Sequence, residues 1–201
     1  MMEFFNLRNF DKKDQYGINF SEPVNVEIFS PAPEEYIFKS AAFFEDLRKF
    51  EDAYFLDVLT AKNVGFTERA RIDLQGITIL LDDLREISSM EIRLTNGKAD
   101  WQVKPDLITP VNPINSRILF VDPVNKHFGG IEGLYSNAAK TMVYIKIWEK
   151  PANTYSTYRI ADNLFLDVHQ ERELIGIWIF NIQDDPKGKR RKEWSEKHPR
   201  Q

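Results

Sequence analysis

The sequence predicts an α+β fold: mainly antiparallel β-hairpins in a meander, with two or so amphipathic helices packed on the sheet. Three observations carry this expectation. An Asn-Gly turn stands between alternating segments, a second alternating pair flanks residues 170–173, and apolar residues recur at helical spacing over 77–87.

The first predicted helix covers about residues 40–50, where Ser40 can cap the N-terminus and Phe43, Phe44, Leu47 and Phe50 share a face. The second covers Ile77, Leu80, Leu81, Leu84 and Ile87, the spacing of a buried stripe. On that reading Asp82, Asp83 and Glu86 form a solvated helix face, with Arg85 offsetting their repulsion.

The first hairpin is centred on Thr95-Asn96-Gly97-Lys98, because Asn-Gly supplies the two positive φ values of a type I′ turn. Counting outward pairs Leu94 with Ala99, Ile92 with Trp101 and Met90 with Val103, giving one apolar and one polar face. The second hairpin turns over Gln170–Glu173. It pairs His169 with Leu174, Val168 with Ile175, Asp167 with Gly176, Leu166 with Ile177, Phe165 with Trp178 and Leu164 with Ile179. Both of its faces carry large apolar residues, so it is expected inside a sheet rather than at an edge. Arg117–Val121 and Thr141–Trp148 read as further strands, and Val24–Phe29 and the region of Ile18 as extended segments.

Residues 1–183 are expected as a single α+β domain, with a subdomain boundary in the proline-containing loop 104–116 as the alternative. No internal repeat is visible. The 201 residues are 42% hydrophobic and 29% charged, near the globular norm, with 15 phenylalanines as the outlier. No cysteine is present, which excludes disulfides, thiolate nucleophiles and thiolate metal sites and suits a reducing, cytoplasmic compartment. Met1–Asp11 holds no apolar run of signal-peptide length, and Leu174–Ile182 is far short of the roughly 20 residues of a membrane helix. No membrane partner is expected.

Charge is divided unevenly. Seven Lys/Arg against four Asp/Glu give residues 184–201 a net +3, so the whole-chain −4 leaves −7 for residues 1–183. The tail is expected to be disordered. Its run Lys187, Lys189, Arg190, Arg191 and Lys192, with Trp194 beside it, is the candidate nucleic-acid contact, since clustered cations neutralise phosphates and a ring can stack on a base.

The candidate polar pocket lies on the second hairpin. Strand alternation sends Asp167 and His169 to one face, and their neighbour Gly176 leaves space between Phe165 and Trp178. An Asp can orient an imidazole for proton transfer or metal binding, and His127 would complete a two-histidine, one-carboxylate set with Asp167 and His169. The glycines at 129, 130 and 133 could cradle an anion, but match no nucleotide-binding pattern. No Gly-X-Ser-X-Gly elbow or His-Glu-X-X-His motif occurs, so no catalytic residue is named and no cofactor is expected.

The resulting expectation is a non-enzymatic protein-binding or accessory protein, of inhibitor, immunity or host-interaction type, from a bacterium or phage. Nucleic-acid association through the tail and a metal-dependent enzyme built on Asp167, His169 and His127 are the alternatives.

Overall fold

Alternation with a period of two governs most of the chain, and it builds sheets where helical spacing had been read. The computed structural model describes residues 23–46, 53–61, 70–74, 76–95, 101–104, 106–121, 126–128 and 131–198. Its strands are β1 (Val26–Phe29), β2 (Ser40–Asp46), β3 (Ala53–Thr60), β4 (Ala70–Leu74), β5 (Ile77–Leu81), β6 (Ile87–Thr95), β7 (Trp101–Val103) and β8 (Ile114–Asn115). They continue with β9 (Arg117–Phe120), β10 (Lys126–Phe128), β11 (Gly133–Ser136), β12 (Val143–Lys146), β13 (Tyr155–Ala161), β14 (Leu164–His169), β15 (Leu174–Ile179) and β16 (Ile182–Asp184). The one α-helix among the described residues is α1 (Lys189–Lys197).

The fold is therefore sheet-rich, which overturns the α+β expectation with its two packed helices. Residues 77–87 form β5, a turn and the start of β6. Ile77, Ile79 and Leu81 are buried while Leu84 is 60% exposed, a period of two that happens to coincide with helical spacing. Residues 40–46 form β2, an interior strand with β3 on one side and β16 on the other. Ala41, Ala42 and Phe43 are buried in succession, so a strand covered on both faces shows no alternation to separate it from a helix.

The Asn-Gly hairpin is also corrected. Residues 96–100 lie outside the described residues, but β6 has β3 on one edge and β5 on the other, leaving no edge for residues 99–103. Trp101, Gln102 and Val103 instead run parallel to Leu134, Tyr135 and Ser136 of β11. The second hairpin has the counted register from Leu164↔Ile179 to Asp167↔Gly176, then a bulge shifts Val168 onto Leu174. It is interior, between β12 and β13.

An internal repeat, invisible in the sequence, organises the architecture. Two seven-stranded sheets have the orders β10-β4-β5-β6-β3-β2-β16 and β7-β11-β12-β15-β14-β13-β8. In the first, hairpin β2–β3 is followed by meander β4–β5–β6, whose last strand returns beside β3. In the second, hairpin β11–β12 is followed by meander β13–β14–β15, whose last strand returns beside β12. The next strand then crosses over each time: β7 leaves the first sheet's meander to lie parallel to β11, and β16 leaves the second's to lie parallel to β2.

The match extends to single residues at an offset of 87 (164 less 77). Ile77↔Ile92 and Leu56↔Ile92 correspond to Leu164↔Ile179 and Val143↔Ile179. The bulge between Leu80 and Leu81 recurs between Asp167 and Val168. Arg93 donates its N–H to the Gly76 carbonyl at 2.9 Å, and Phe180 to the Asn163 carbonyl at 2.9 Å. Phe128 pairs in parallel with Leu74, and Phe38 forms a parallel bridge with the corresponding Ala161. Strands β1 and β9 pair antiparallel in a small sheet of their own.

The buried faces also correspond. Leu56, Ile79 and Ile92 on one side and Val143, Leu166 and Ile179 on the other belong to one continuous hydrophobic cluster. Among the described residues, no helix is long and apolar enough to cross a membrane.

Candidate functional site

Asp167 stands on β14 opposite Gly176, as counted from the sequence, on the face away from the core residues Leu166 and Val168. Its carboxylate is 1% exposed. It accepts hydrogen bonds from Trp178 Nε1 at 2.8 Å, from Thr157 Oγ1 at 2.5 Å and from the Tyr144 side chain. Burial raises its pKa above the ordinary carboxylate value, against the lowering effect of those three donors. Burial and the nearby Asp167 charge in turn push the Tyr144 phenol up.

The space above Gly176 is taken by Tyr144. A Cβ at Gly176 would run into that ring, and the ring stacks on Trp178 with centroids 4.1 Å apart at 24°. Tyr135 continues the stack at 6.3 Å from Tyr144, with Lys104 Nζ 3.8 Å from its centroid. Phe180 lies 6.0 Å from Trp178 and 4.7 Å from Phe165. The arrangement is a second, smaller packed layer on the outer face of the sheet, with Asp167 as the shared acceptor beneath it. Sequence reasoning missed Tyr144 and Thr157. The signal for Tyr144 was present in the predicted strand 141–148, since β12 lies beside β15 and sets Tyr144 opposite Trp178.

His169 ends β14 and faces the turn rather than Asp167. Its Nδ1 accepts the Glu171 N–H at 3.3 Å and lies 3.7 Å from Glu171 Oε2 and 3.9 Å from Glu173 Oε2. Ligand atoms of these three residues fall within 4.8 Å of one another, but Glu173 already holds Lys150 Nζ at 2.8 Å. His127 stands on β10, the outer strand of the other large sheet, opposite Asp73; its side chain lies outside the described residues. The set His127, Asp167 and His169 is thus divided between the two sheets. Gly129 and Gly130 also lie outside the described residues.

The repeat explains what His169 does. Its counterpart is Asp82, whose Oδ1 accepts the N–H groups of Leu84 and Glu86, both at 2.9 Å. His169 Nδ1 takes over the first of those two bonds. Asp82 and Glu86, expected on a solvated helix face, are buried, and Glu86 Oε1 is 3.0 Å from Arg117 Nε.

The basic tail, expected as disordered, contains α1. Asp185 holds the helix start, its Oδ1 and Oδ2 accepting the N–H groups of Arg190 and Arg191 at 3.0 Å each. Arg191 reaches the sheet and pairs with Asp57, which is 5% exposed and has its pKa raised by burial despite that partner. Lys189 and Lys192 approach Glu193 and Glu196 one turn on, at 3.7 and 4.0 Å. Lys187 and Arg190 are exposed. Trp194 stacks on His198, 4.4 Å between centroids.

Among the described residues, the most exposed apolar segment lies elsewhere. The loop after β7 joins one edge of the second large sheet to β8 at the opposite edge. Over its length Val103 is 49% exposed, Ile108 79%, Val111 80% and Ile114 40%. Lys104 donates its N–H to the Ser136 carbonyl at 2.8 Å, so the N–H of Val103, one residue earlier, points away from the sheet. The sequence drew attention to this loop through its prolines; the apolar residues between them were the signal left unused.

Neither a scan against protein-family models nor a search of curated proteins finds a match to this chain.

Proposed function

We propose that this chain is a non-enzymatic protein-binding protein, of inhibitor, immunity or host-interaction type, whose contact surface is Val103–Ile114. The carrying observation is the pair Ile108 and Val111, each about four-fifths exposed on one short loop. Large apolar side chains this exposed, three residues apart on one loop, are candidates for an interaction surface. Covering an Ile and a Val side chain contributes roughly 1.5–3 kcal/mol each, enough together to shift an equilibrium by two orders of magnitude or more. Among the described strands β7 is at the edge of its sheet, and a partner's strand can register on its outward side.

The tail gives less support to nucleic-acid binding, because Arg191 turns inward to Asp57 and Lys189 and Lys192 have acidic neighbours on their own helix. The metal-enzyme reading gains nothing from an Asp167 carboxylate already shared among three donors.

A photo-crosslinking residue in place of Ile108, in otherwise intact protein, tests the proposal. The expected result is a discrete adduct with one other protein that disappears when Val111→Asp is added. Adducts with a second copy only, or adducts unchanged by Val111→Asp in a folded variant, would overturn it.

A further inference from the structure

We infer that the two halves of this chain are copies of one unit fused in tandem, and that each half is the other's obligate partner, joined by exchange of their last strands. The surface in question is the interface between the halves, and the partner it fits is another copy of the same unit.

Packing alone does not require two sheets to share a strand order, and still less a bulge after Leu80 and after Asp167, or left-handed residues at Arg85 and Arg172. The bulge and the left-handed residue recur at the same offset of 87. Over residues 77–95 and 164–182, only Arg85/Arg172, Glu86/Glu173 and Ile92/Ile179 are identical, so the correspondence lives in backbone geometry and burial. The small sheet follows the same symmetry. Val26 of β1 donates its N–H to the Arg172 carbonyl, and Phe120 of β9 to the Arg85 carbonyl, both at 2.9 Å, while Val26 and Phe120 are themselves paired. This is the pattern of an isologous contact, in which each partner gives what it receives.

Two features make the partnership obligate. The core cluster is common to both sheets, so either half alone presents the inner face of a whole sheet to water. Each half also leaves an edge to the other: among the described strands, only β7 covers the outer edge of β11 and only β16 that of β2.

The test uses the full chain with a protease site inserted between Thr109 and Pro110 and cleaved after folding. The expected result is that residues 1–109 and 110–201 stay together as one particle with an unchanged circular dichroism spectrum. Separated in concentrated urea and returned singly to buffer, neither piece shows a cooperative unfolding transition. A piece that folds alone, or pieces that part under native conditions while keeping native spectra, would overturn the inference.

A second measurement needs no cutting. Lys104 N–H bonds β11, so the Gln102 N–H two residues earlier points the same way, and Gln102→Pro removes a bond to β11. Amide exchange is expected to lose protection at 133–136, in the other half. Loss confined to 87–95, in its own half, would contradict strand exchange.

Discussion

Arg85 and Arg172 occupy the same place in two copies of one turn. Both have left-handed backbones, at φ 62° and 66°. Each donates its N–H to the residue three earlier, Arg85 to the Asp82 carbonyl at 2.9 Å and Arg172 to the His169 carbonyl at 2.8 Å. The turns are closed by Asp82 N–H on Glu86 at 3.0 Å and His169 N–H on Glu173 at 2.9 Å.

A left-handed non-glycine residue costs roughly 1–2 kcal/mol, while glycine costs roughly 0.5–1 kcal/mol in added chain entropy. Arg172→Gly is therefore expected to stabilise the protein by about 0.5–1 kcal/mol. Arg85→Gly is expected to gain less, because the Arg85 guanidinium also bonds the Val121 carbonyl at 3.0 Å. Urea midpoints of the two variants measure the difference, and equal gains would count against a role for that bond.

Asp167→Ala leaves Thr157, Tyr144 and Trp178 without their shared acceptor, for an expected loss of about 2–4 kcal/mol. Asp167→Asn keeps an acceptor and should lose less. The pH dependence distinguishes the two forms of the acid. Because the folded-state pKa lies above the ordinary 3.8, the fold favours the protonated carboxyl. Its contribution is full below about pH 4 and is lost as pH rises through the raised value. The stability of wild type relative to Asp167→Asn is expected to fall between pH 4 and pH 7 in urea titrations; a rise over that window would refute the assignment.

Gly176→Ala places a methyl against the Tyr144 ring, with an expected loss of about 1–3 kcal/mol in thermal or urea unfolding. Adding Tyr144→Ser should recover part of that loss relative to Tyr144→Ser alone, since the obstacle is the ring. Gly133→Ala meets the Tyr135 ring in the same way. Tyr144 is stacked on Trp178 at 4.1 Å whereas Tyr135 lies 6.3 Å from its neighbour Tyr144, so the second glycine is expected to tolerate a methyl better.

The register of β14 with β15 was legible because strand alternation and a short local turn point to the same pairing. Only the shift at Ile175 escaped, and that depends on how the left-handed Arg172 turn feeds β15. At Asn96-Gly97 a local turn signal pointed to a pairing that the long-range neighbours of β6 do not leave room for. Residues 77–87 failed for a different reason: Ile77, Leu80, Leu81, Leu84 and Ile87 fit a helical stripe by number, although the β-branched Ile77-Thr78-Ile79 favours a strand. Of the candidate site, the Asp167, Gly176 and Trp178 neighbourhood was readable from one hairpin. Tyr144 and Thr157 come from β12 and β13, whose adjacency no local pattern encodes.

Parallel pairing of Ile182 with Ala42 also sets an order of events on the ribosome. The β2 segment leaves the exit tunnel before either of its neighbours, β3 following directly and the strand that covers its other edge 140 residues later (182 less 42). At roughly 5–20 residues per second that interval is roughly 7–28 s, long compared with the seconds or less in which such strands pair. For that time the nascent chain carries Phe43 and Phe44 in a segment whose partner strand has yet to be made. The first sheet is thus the earlier to begin and the later to finish, and a chain halted before residue 182 exposes an adhesive edge to its neighbours.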